Sequence, residues 1–327
     1  MTSEYVVKEY HKKNIIYKHL HLGTNLPVLD SFRKYIYREI DQMGCFSIVL
    51  KDSNSEEVLG HTMLFKWEDK LYFAFFYAKE VSFKNAKRLI TEIESKARQL
   101  NCKMVLGPVN LPPYIYGFGF SEEGSDTSIF AMAPTTDPAY IDHFRKLDYQ
   151  SPQKFLHFRA PLRPVPYEKK YDIRFADLRN PAEWKDKFLE LQYRLYPSQI
   201  QITPNQAYLF DDILEFLNEF SNNDSVFLIY NDDGNLIGIG WGSPNPFDLN
   251  DNGKTRSYVL FGAAVEKEYQ KQGILTEVFK LCGNHFTQQG VTYGEGFTNE
   301  ENIASIRLFK SWGAEHTRTH VLMIKQI

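Results

Sequence analysis

"AAVEKEYQKQGILTEVFK", Ala263 to Lys280, decides how this chain is read. It begins with small apolar residues, as a strand end does. A polar loop with a single glycine, Gly273, follows. From Ile274 the spacing is that of an amphipathic helix. A strand–loop–helix junction of this kind presents unpaired backbone N–H groups at the positive end of the helix dipole. It is therefore a receptor for phosphate or diphosphate.

The residues around that junction extend the pattern. "YDIRFADL" (Tyr171 to Leu178) reads as a strand, and Asn180-Pro181 opens a helix with Glu183 in its first turn. Thr203-Pro204-Asn205-Gln206 has the form of a capping box, and Leu209, Ile213, Phe216, Leu217 and Phe220 then recur at helical spacing. "SVFLIYND" and "NLIGIGWG" flank Asp233-Gly234, a hairpin turn. "TRSYVLFGAAV" is the strand that enters the junction. Leu275, Val278, Phe279, Cys282 and Phe286 form one helical face. "VTYGEGF" is a strand, "ENIASIRLFKSW" a helix and "HVLMIKQI" a closing strand.

The first half follows a similar order. "FSIVLKD", "EVLGHTMLF" and "LYFAFFYA" are strands. A helix begins near Ser82, with Phe83, Ala86, Ile90, Ile93, Ala97 and Leu100 on one face. "KMVLGPV" is a strand, "DPAYIDHFRKL" a helix and "KFLHFRAP" a strand. Two local echoes, "ITEI" at Ile90 with "LTEV" at Leu275 and "HFRKLDY" at His143 with "LFKSWGA" at Leu308, point to an internal repeat. Between the halves, Pro161, Pro164 and Pro166 keep the chain extended. The expected division is residues 1–162, a linker at 163–170, and residues 171–327, each half the size of one domain.

At 327 residues the chain suits two cores better than one. A net charge of −3 argues against a non-specific nucleic-acid binder, which is normally basic. No apolar run approaches the roughly 20 residues of a membrane helix. "MTSEYVVKEYHKK" has no apolar region of signal type. Cys45, Cys102 and Cys282 lie far apart and unpaired by count, as in a reducing cytoplasm. No histidine or cysteine spacing suggests a metal site. The 20 tyrosines and 25 phenylalanines suit either well-filled cores or an aromatic-lined cleft.

The second half resembles the GNAT superfamily of acyl-CoA-dependent N-acetyltransferases. That family joins an apolar strand end, a four-residue spacer and Arg/Gln-x-x-Gly-x-Gly/Ala opening a helix. Here Ala264 and Val265 stand in the strand, Glu266 to Tyr269 in the spacer, and Gln270, Lys271, Gln272, Gly273, Ile274 and Leu275 in the loop. The family's later motif, Asn-x-x-Ala/Ser-x-x-x-Tyr-x-x-x-Gly, falls on Asn302, Ser305, Phe309 and Gly313. The resemblance implies an α/β fold with mixed, mostly antiparallel sheets and two GNAT-like domains in tandem, the first degenerate. It implies acetyl-CoA as cosubstrate, an amine-bearing small molecule or peptide as acceptor, and no nucleic acid or membrane partner.

The resemblance also assigns roles. Gln270 to Leu275 would hold the coenzyme A diphosphate. Ala263, Ala264 and Val265 would line its pantetheine arm where the motif strand splays from its neighbour, and one of their N–H groups would stabilise the oxyanion. Asn302 would bind the arm or cap its own helix, and Ser305 and Phe309 would stand beside it. Leu275 and Phe309 depart from the pattern: the family has Gly or Ala at the first and a proton-donating tyrosine at the second. Tyr293 and Tyr258 are the possible replacements. An attacking amine must be neutral, and Glu295 and Glu266 are the candidate bases. The substrate wall is expected from Tyr193–Pro204, Trp241–Asp251 and "LPPYIYGFGF". The first half's counterpart of the loop, Ala78 to Leu89, has no glycine and is expected to bind no coenzyme A. Other readings are an acyl-CoA sensor or scaffold without catalysis, and aminoacyl transfer from a charged tRNA.

Overall fold

A computed structural model describes residues 5–126, 128–168, 170–195, 210–221 and 223–327. The proposed capping box at Thr203 and most of the expected wall at Tyr193–Pro204 lie outside these residues. The chain divides into two compact units. One holds the residues up to Leu156 together with Arg318–Ile327, and the other is His157–Thr317.

The first unit runs β1 (Tyr5–Tyr10), α1 (Lys13–Leu20), α2 (Arg33–Met43), β2 (Phe46–Asp52), β3 (Val58–Trp67), β4 (Lys70–Ala78), α3 (Phe83–Gln99), β5 (Met104–Gly107), α4 (Pro113–Tyr116), β6 (Phe120–Ser121) and α5 (Ala139–Arg145). The chain continues as β7 (Lys154–Pro161), β8 (Asp172–Phe175), α6 (Lys185–Leu195), α7 (Phe210–Phe220), β9 (Val226–Tyr230), β10 (Leu236–Pro244), β11 (Ser257–Val265), α8 (Ile274–Gln288), β12 (Tyr293–Asn299), α9 (Ile303–Ser311), β13 (Glu315–Val321) and β14 (Met323–Gln326). The sheets have the orders β1-β2-β3-β4-β5-β14 and β6-β13-β7-β12-β11-β10-β9-β8. Both are mixed and mostly antiparallel, with β4–β5 and β11–β12 parallel.

Periodicity accounts for most of this. In α3, Ala86, Leu89, Ile90, Ile93 and Ala97 are buried at steps of three and four, so one stripe packs on the first sheet. "LYFAFFYA" becomes β4, buried along almost its whole length. Asp233-Gly234 joins β9 to β10, with Gly234 at φ 79°. The helix expected at Asn180-Pro181 is first a single 3₁₀ turn over Pro181–Glu183, with no side-chain cap from Asn180.

Two expectations are corrected by strand pairing. The closing stretch divides at Leu322 into β13 and β14. β14 pairs antiparallel with β5, from Met323↔Gly107 to Gln326↔Met104, and so completes the first sheet. β7, expected to end the first half, lies between β13 and β12 in the other sheet. The reason is apolar burial: Val321 and Met323 belong to the first core with Phe73, Phe120 and Phe144. The proline stretch is docked rather than loose. Leu162 N–H donates to Thr292 O at 2.8 Å, and Asn284 bonds both the N–H and the C=O of Val165.

One helical glycine is a testable weak point. Gly283 lies inside α8, and a Cβ placed on it would meet nothing nearer than Arg163 O and Trp312 Cζ3, both at 3.8 Å. Gly283→Ala is expected to stabilise the second unit by about 0.5–1 kcal/mol, because alanine gives up less backbone entropy in a helix. Urea unfolding checks it as a raised midpoint.

Candidate active site

The junction quoted first is built as its sequence implies. β11 ends at Val265, a 3₁₀ turn covers Lys267–Tyr269, and α8 begins at Ile274. Gly273 is the N-cap at φ 81°, a left-handed conformation that favours glycine, and no side chain caps the helix. Lys271 also has positive φ, 64°. The first-turn N–H groups of α8 are therefore available to a ligand, at the positive end of the dipole. The loop is tied from below: Gln270 Nε2 donates to Val265 O at 3.1 Å, and Tyr171 Oη donates to Gln272 O at 3.0 Å.

The strands splay above the loop. β11 pairs with β12 only from Ser257↔Tyr293 to Leu260↔Gly296. On the other edge, Trp241 pairs with Gly262 but Gly242 pairs with Leu260, so Phe261 is an extra residue, a β-bulge. The bulge sits where the parallel pairing stops, and its added bend and twist part the strands. Glu266 N–H donates to Ile237 O, so the two-residue alternation of the ladder turns Ala264 toward β10. The amides of Ala263 and Val265 then face the gap.

That gap is a cleft of about 650 Å³. Of the residues assigned to the cofactor, Ala263, Ala264, Val265, Gln270, Lys271, Gly273, Ile274, Leu275, Asn302, Ser305 and Phe309 all line it. Gln272 does not; its side chain donates back to Glu268 O at 3.0 Å. Leu275 lines the cleft and also packs half-buried on the core around Val278. Asn302 caps α9, its Oδ1 accepting from Ser305 N–H at 3.2 Å. Phe309 is buried, stacked on Phe158 with centroids 5.1 Å apart.

Neither candidate base reaches this cleft. Glu266 forms a salt bridge with Lys187 of α6 and faces a different depression, beside Glu190 and Asn235. The Glu295 side chain is fully buried in an ionic cluster. His157 Nε2 lies 3.7 Å and Arg159 Nε 3.8 Å from its oxygens, and Asn245 Nδ2 donates to them at 3.4–3.5 Å. Arg159 and Arg256 in turn hold Asp248. The glycines around Glu295 do not make room for a ligand. A Cβ at Gly294 would approach Leu162 Cδ2 to 3.1 Å, and one at Gly296 would approach Phe309 Cζ to 2.7 Å. The loop Trp241–Asp251 thus contributes Asn245 and Asp248 to an internal cluster.

The substitute acids also lie elsewhere. Tyr258 is buried, and its hydroxyl donates to Asp224 O at 3.3 Å. Burial drives its pKa far up. Tyr293 lies under Arg159, whose guanidinium carbon is 3.9 Å from the ring centroid. Burial, then Asp224, pushes the Cys282 thiol up to about 12, so it stays protonated and is no nucleophile. Sequence reasoning missed Tyr269, Thr276, Phe279, Asn299 and Glu301 in the cleft wall. Among the described residues, Glu301 is the one carboxylate there. No group of three or more His, Cys, Asp or Glu among them is placed to hold a metal.

The first unit repeats the geometry and fills it. β4 pairs with β5 only from Lys70↔Met104 to Tyr72↔Leu106, so these strands also part. There Asn110 Oδ1 accepts from Phe75 N–H at 2.7 Å, and Val109 N–H donates to Phe73 O at 2.9 Å. Tyr140 Oη bonds both the N–H and the C=O of Ala78. Phe76, Phe120 and Phe144 pack into the same region. The strand groups that an extended ligand would need are satisfied by the protein itself.

Comparison with known proteins agrees with this geometry. Residues 185–314 match the Acetyltransferase (GNAT) family. A tandem GNAT protein from the clavulanic acid biosynthesis pathway superposes with a TM-score of 0.65 over 99% of this chain and 98% of its own, at 13% identity. A GCN5-related N-acetyltransferase from Sphaerobacter thermophilus gives 0.64 over 98% and 95%, at 10% identity. A GNAT-family acetyltransferase from Colwellia psychrerythraea gives 0.52 over 98% and 100%, at 13% identity. No curated protein matches by sequence. No helix among the described residues is long and apolar enough to cross a membrane.

Proposed function

Residues 185–314 form a GNAT acetyltransferase domain in a chain that has the tandem GNAT fold throughout, and from that premise we propose an N-acyltransferase. It moves an acetyl or other short acyl group from acyl-CoA to a primary amine of a small molecule or peptide, by direct attack. The observation that carries this reading is the splay of β11 from β12 above an uncapped helix N-terminus, with eleven of the twelve assigned cofactor residues lining one cleft.

The cosubstrate supplies an activated thioester, and the chain supplies its seat. First-turn amides of α8, with Lys271 beside them, would hold the diphosphate. The Ala263 and Val265 amides would hold the extended arm and take up charge on the thioester oxygen, an interaction worth about 10²-fold or more in rate. Phe309 has no proton to give. A thiolate with a pKa near about 8.5 departs without one. Cysteine placement supports a cytoplasmic, reducing setting: Cys45 and Cys102 are buried and all three thiols are free.

Neither Glu266 nor Glu295 lines the cleft, so the acceptor itself should govern the pH response. For a lysine-type amine, kcat/KM is expected to rise about tenfold per pH unit through neutrality and to level only near the amine's own pKa, about 10.4. A plateau near pH 7 would instead report a base tuned by the protein. The primary test is calorimetry with coenzyme A and acetyl-CoA, followed by thiol release against an amine panel. The absence of Glu266, Glu295, Tyr258 and Tyr293 from the cleft lining, with phenylalanine at position 309, favours a second reading, a non-catalytic acyl-CoA sensor. Binding without turnover on any amine selects it.

A further inference from the structure

The cleft shares a wall with a second, smaller space. Leu260, Phe279 and Phe309 line both the cleft and an apolar cavity of about 60 Å³, which continues behind them to Cys282, Phe286 and Trp312. Its volume is roughly that of two water molecules in the liquid, but an apolar lining of this kind stays dry. The common wall stands at a defined depth. β11 and β12 converge at Leu260 and Gly296, five residues before the phosphate-binding end of β11 at Val265, or roughly 17 Å along the strand. An acyl group at the far end of a coenzyme A arm meets this wall.

Phe309 is held there on three sides. Its ring lies parallel to Phe158, at 9°, and edge-on to Phe279 with centroids 6.1 Å apart. Its Cζ occupies the space that any side chain at position 296 would need. The ring is therefore held in place as part of the wall that partitions the arm-binding cleft from the unused apolar volume, both of which it lines.

We propose that Phe309 sets acyl-chain length. It limits the donor to acetyl-sized thioesters by closing off a cavity that would otherwise accept the methylenes of a longer chain. The inference rests on the acyl-CoA reading above and adds to it the residue that defines the donor. No bond is made to Phe309, and its effect is steric. Removing the ring joins the two spaces, and each methylene then buried adds about fourfold in affinity.

The experiment is calorimetry with coenzyme A, acetyl-CoA, butyryl-CoA and hexanoyl-CoA. The proteins are wild type, Phe309→Ala, Phe309→Leu and the double variant Phe309→Ala/Gly283→Val, whose valine fills the cavity from α8. Wild type is expected to bind acetyl-CoA better than hexanoyl-CoA. Phe309→Ala is expected to favour butyryl-CoA over acetyl-CoA by about 15-fold relative to wild type, for two methylenes. Phe309→Leu shifts the same way by less, and serves if the alanine variant does not fold. The double variant returns toward the wild-type order. If wild type binds hexanoyl-CoA as well as acetyl-CoA, or if the order is unchanged in a folded Phe309 variant that binds coenzyme A, the partition is refuted. If coenzyme A itself binds none of the four, the acyl-CoA reading fails and the partition with it.

Discussion

Gly273→Val is expected to weaken coenzyme A binding by about 100-fold or more while leaving the second unit folded. The two effects separate because the glycine serves two purposes. At φ 81° a valine is strained, which costs on the order of 1–2 kcal/mol. A Cβ at this position meets no atom within 4 Å, so the fold has room for it. That open space belongs to the cleft. A branched side chain there stands where the diphosphate must approach the first-turn amides. Two charge-assisted hydrogen bonds lost at about 1.5 kcal/mol each make about 3 kcal/mol, or slightly over 100-fold. Calorimetry reads the affinity and urea unfolding the stability. Equal losses in both would mean that the glycine only shapes a turn, and the diphosphate site would be lost as an explanation.

The strand–loop–helix junction was legible because its parts are local. A glycine, its preceding strand and its following helix lie within eighteen residues, and backbone geometry there follows from short-range sterics. The bulge at Phe261 was not legible. It depends on the register between β10 and β11, which no residue type announces. α1 and α2 escaped detection for another reason. In α2 a buried charge, Glu39, interrupts an apolar stripe of Tyr35, Ile36, Ile40 and Met43. The domain boundary failed at long range. Lys154–Pro161 and Met323–Gln326 each read correctly as strands, but pattern alone does not say which sheet a strand joins. The first unit's sealed gap has the same character. Its missing glycine was visible, whereas Asn110 and Tyr140, which occupy the gap, lie about 35 and 62 residues from their partners.

Glu295 is where sequence and structure disagree most about chemistry, and the disagreement carries the second large prediction. Glu295→Ala is expected to destabilise the second unit by about 3 kcal/mol or more, because it leaves His157 and Arg159 facing a buried site without their carboxylate. Glu295→Gln keeps a partner for Asn245 but loses the charge, so it should fall between alanine and wild type. Glu266→Gln removes a partly exposed pair with Lys187 and should cost no more than about 1 kcal/mol. If Glu295 is structural, folded Glu295→Gln retains coenzyme A affinity within about threefold, and the rise of kcat/KM with pH keeps its slope. If it is the base, kcat/KM falls by about 10²-fold or more at an unchanged unfolding midpoint. The buried pair already decides the direction. A carboxylate whose oxygens are shared among His157, Arg159 and Asn245, and which borders the small apolar cavity rather than the cleft, is separated from the cleft by the wall of Leu260, Phe279 and Phe309.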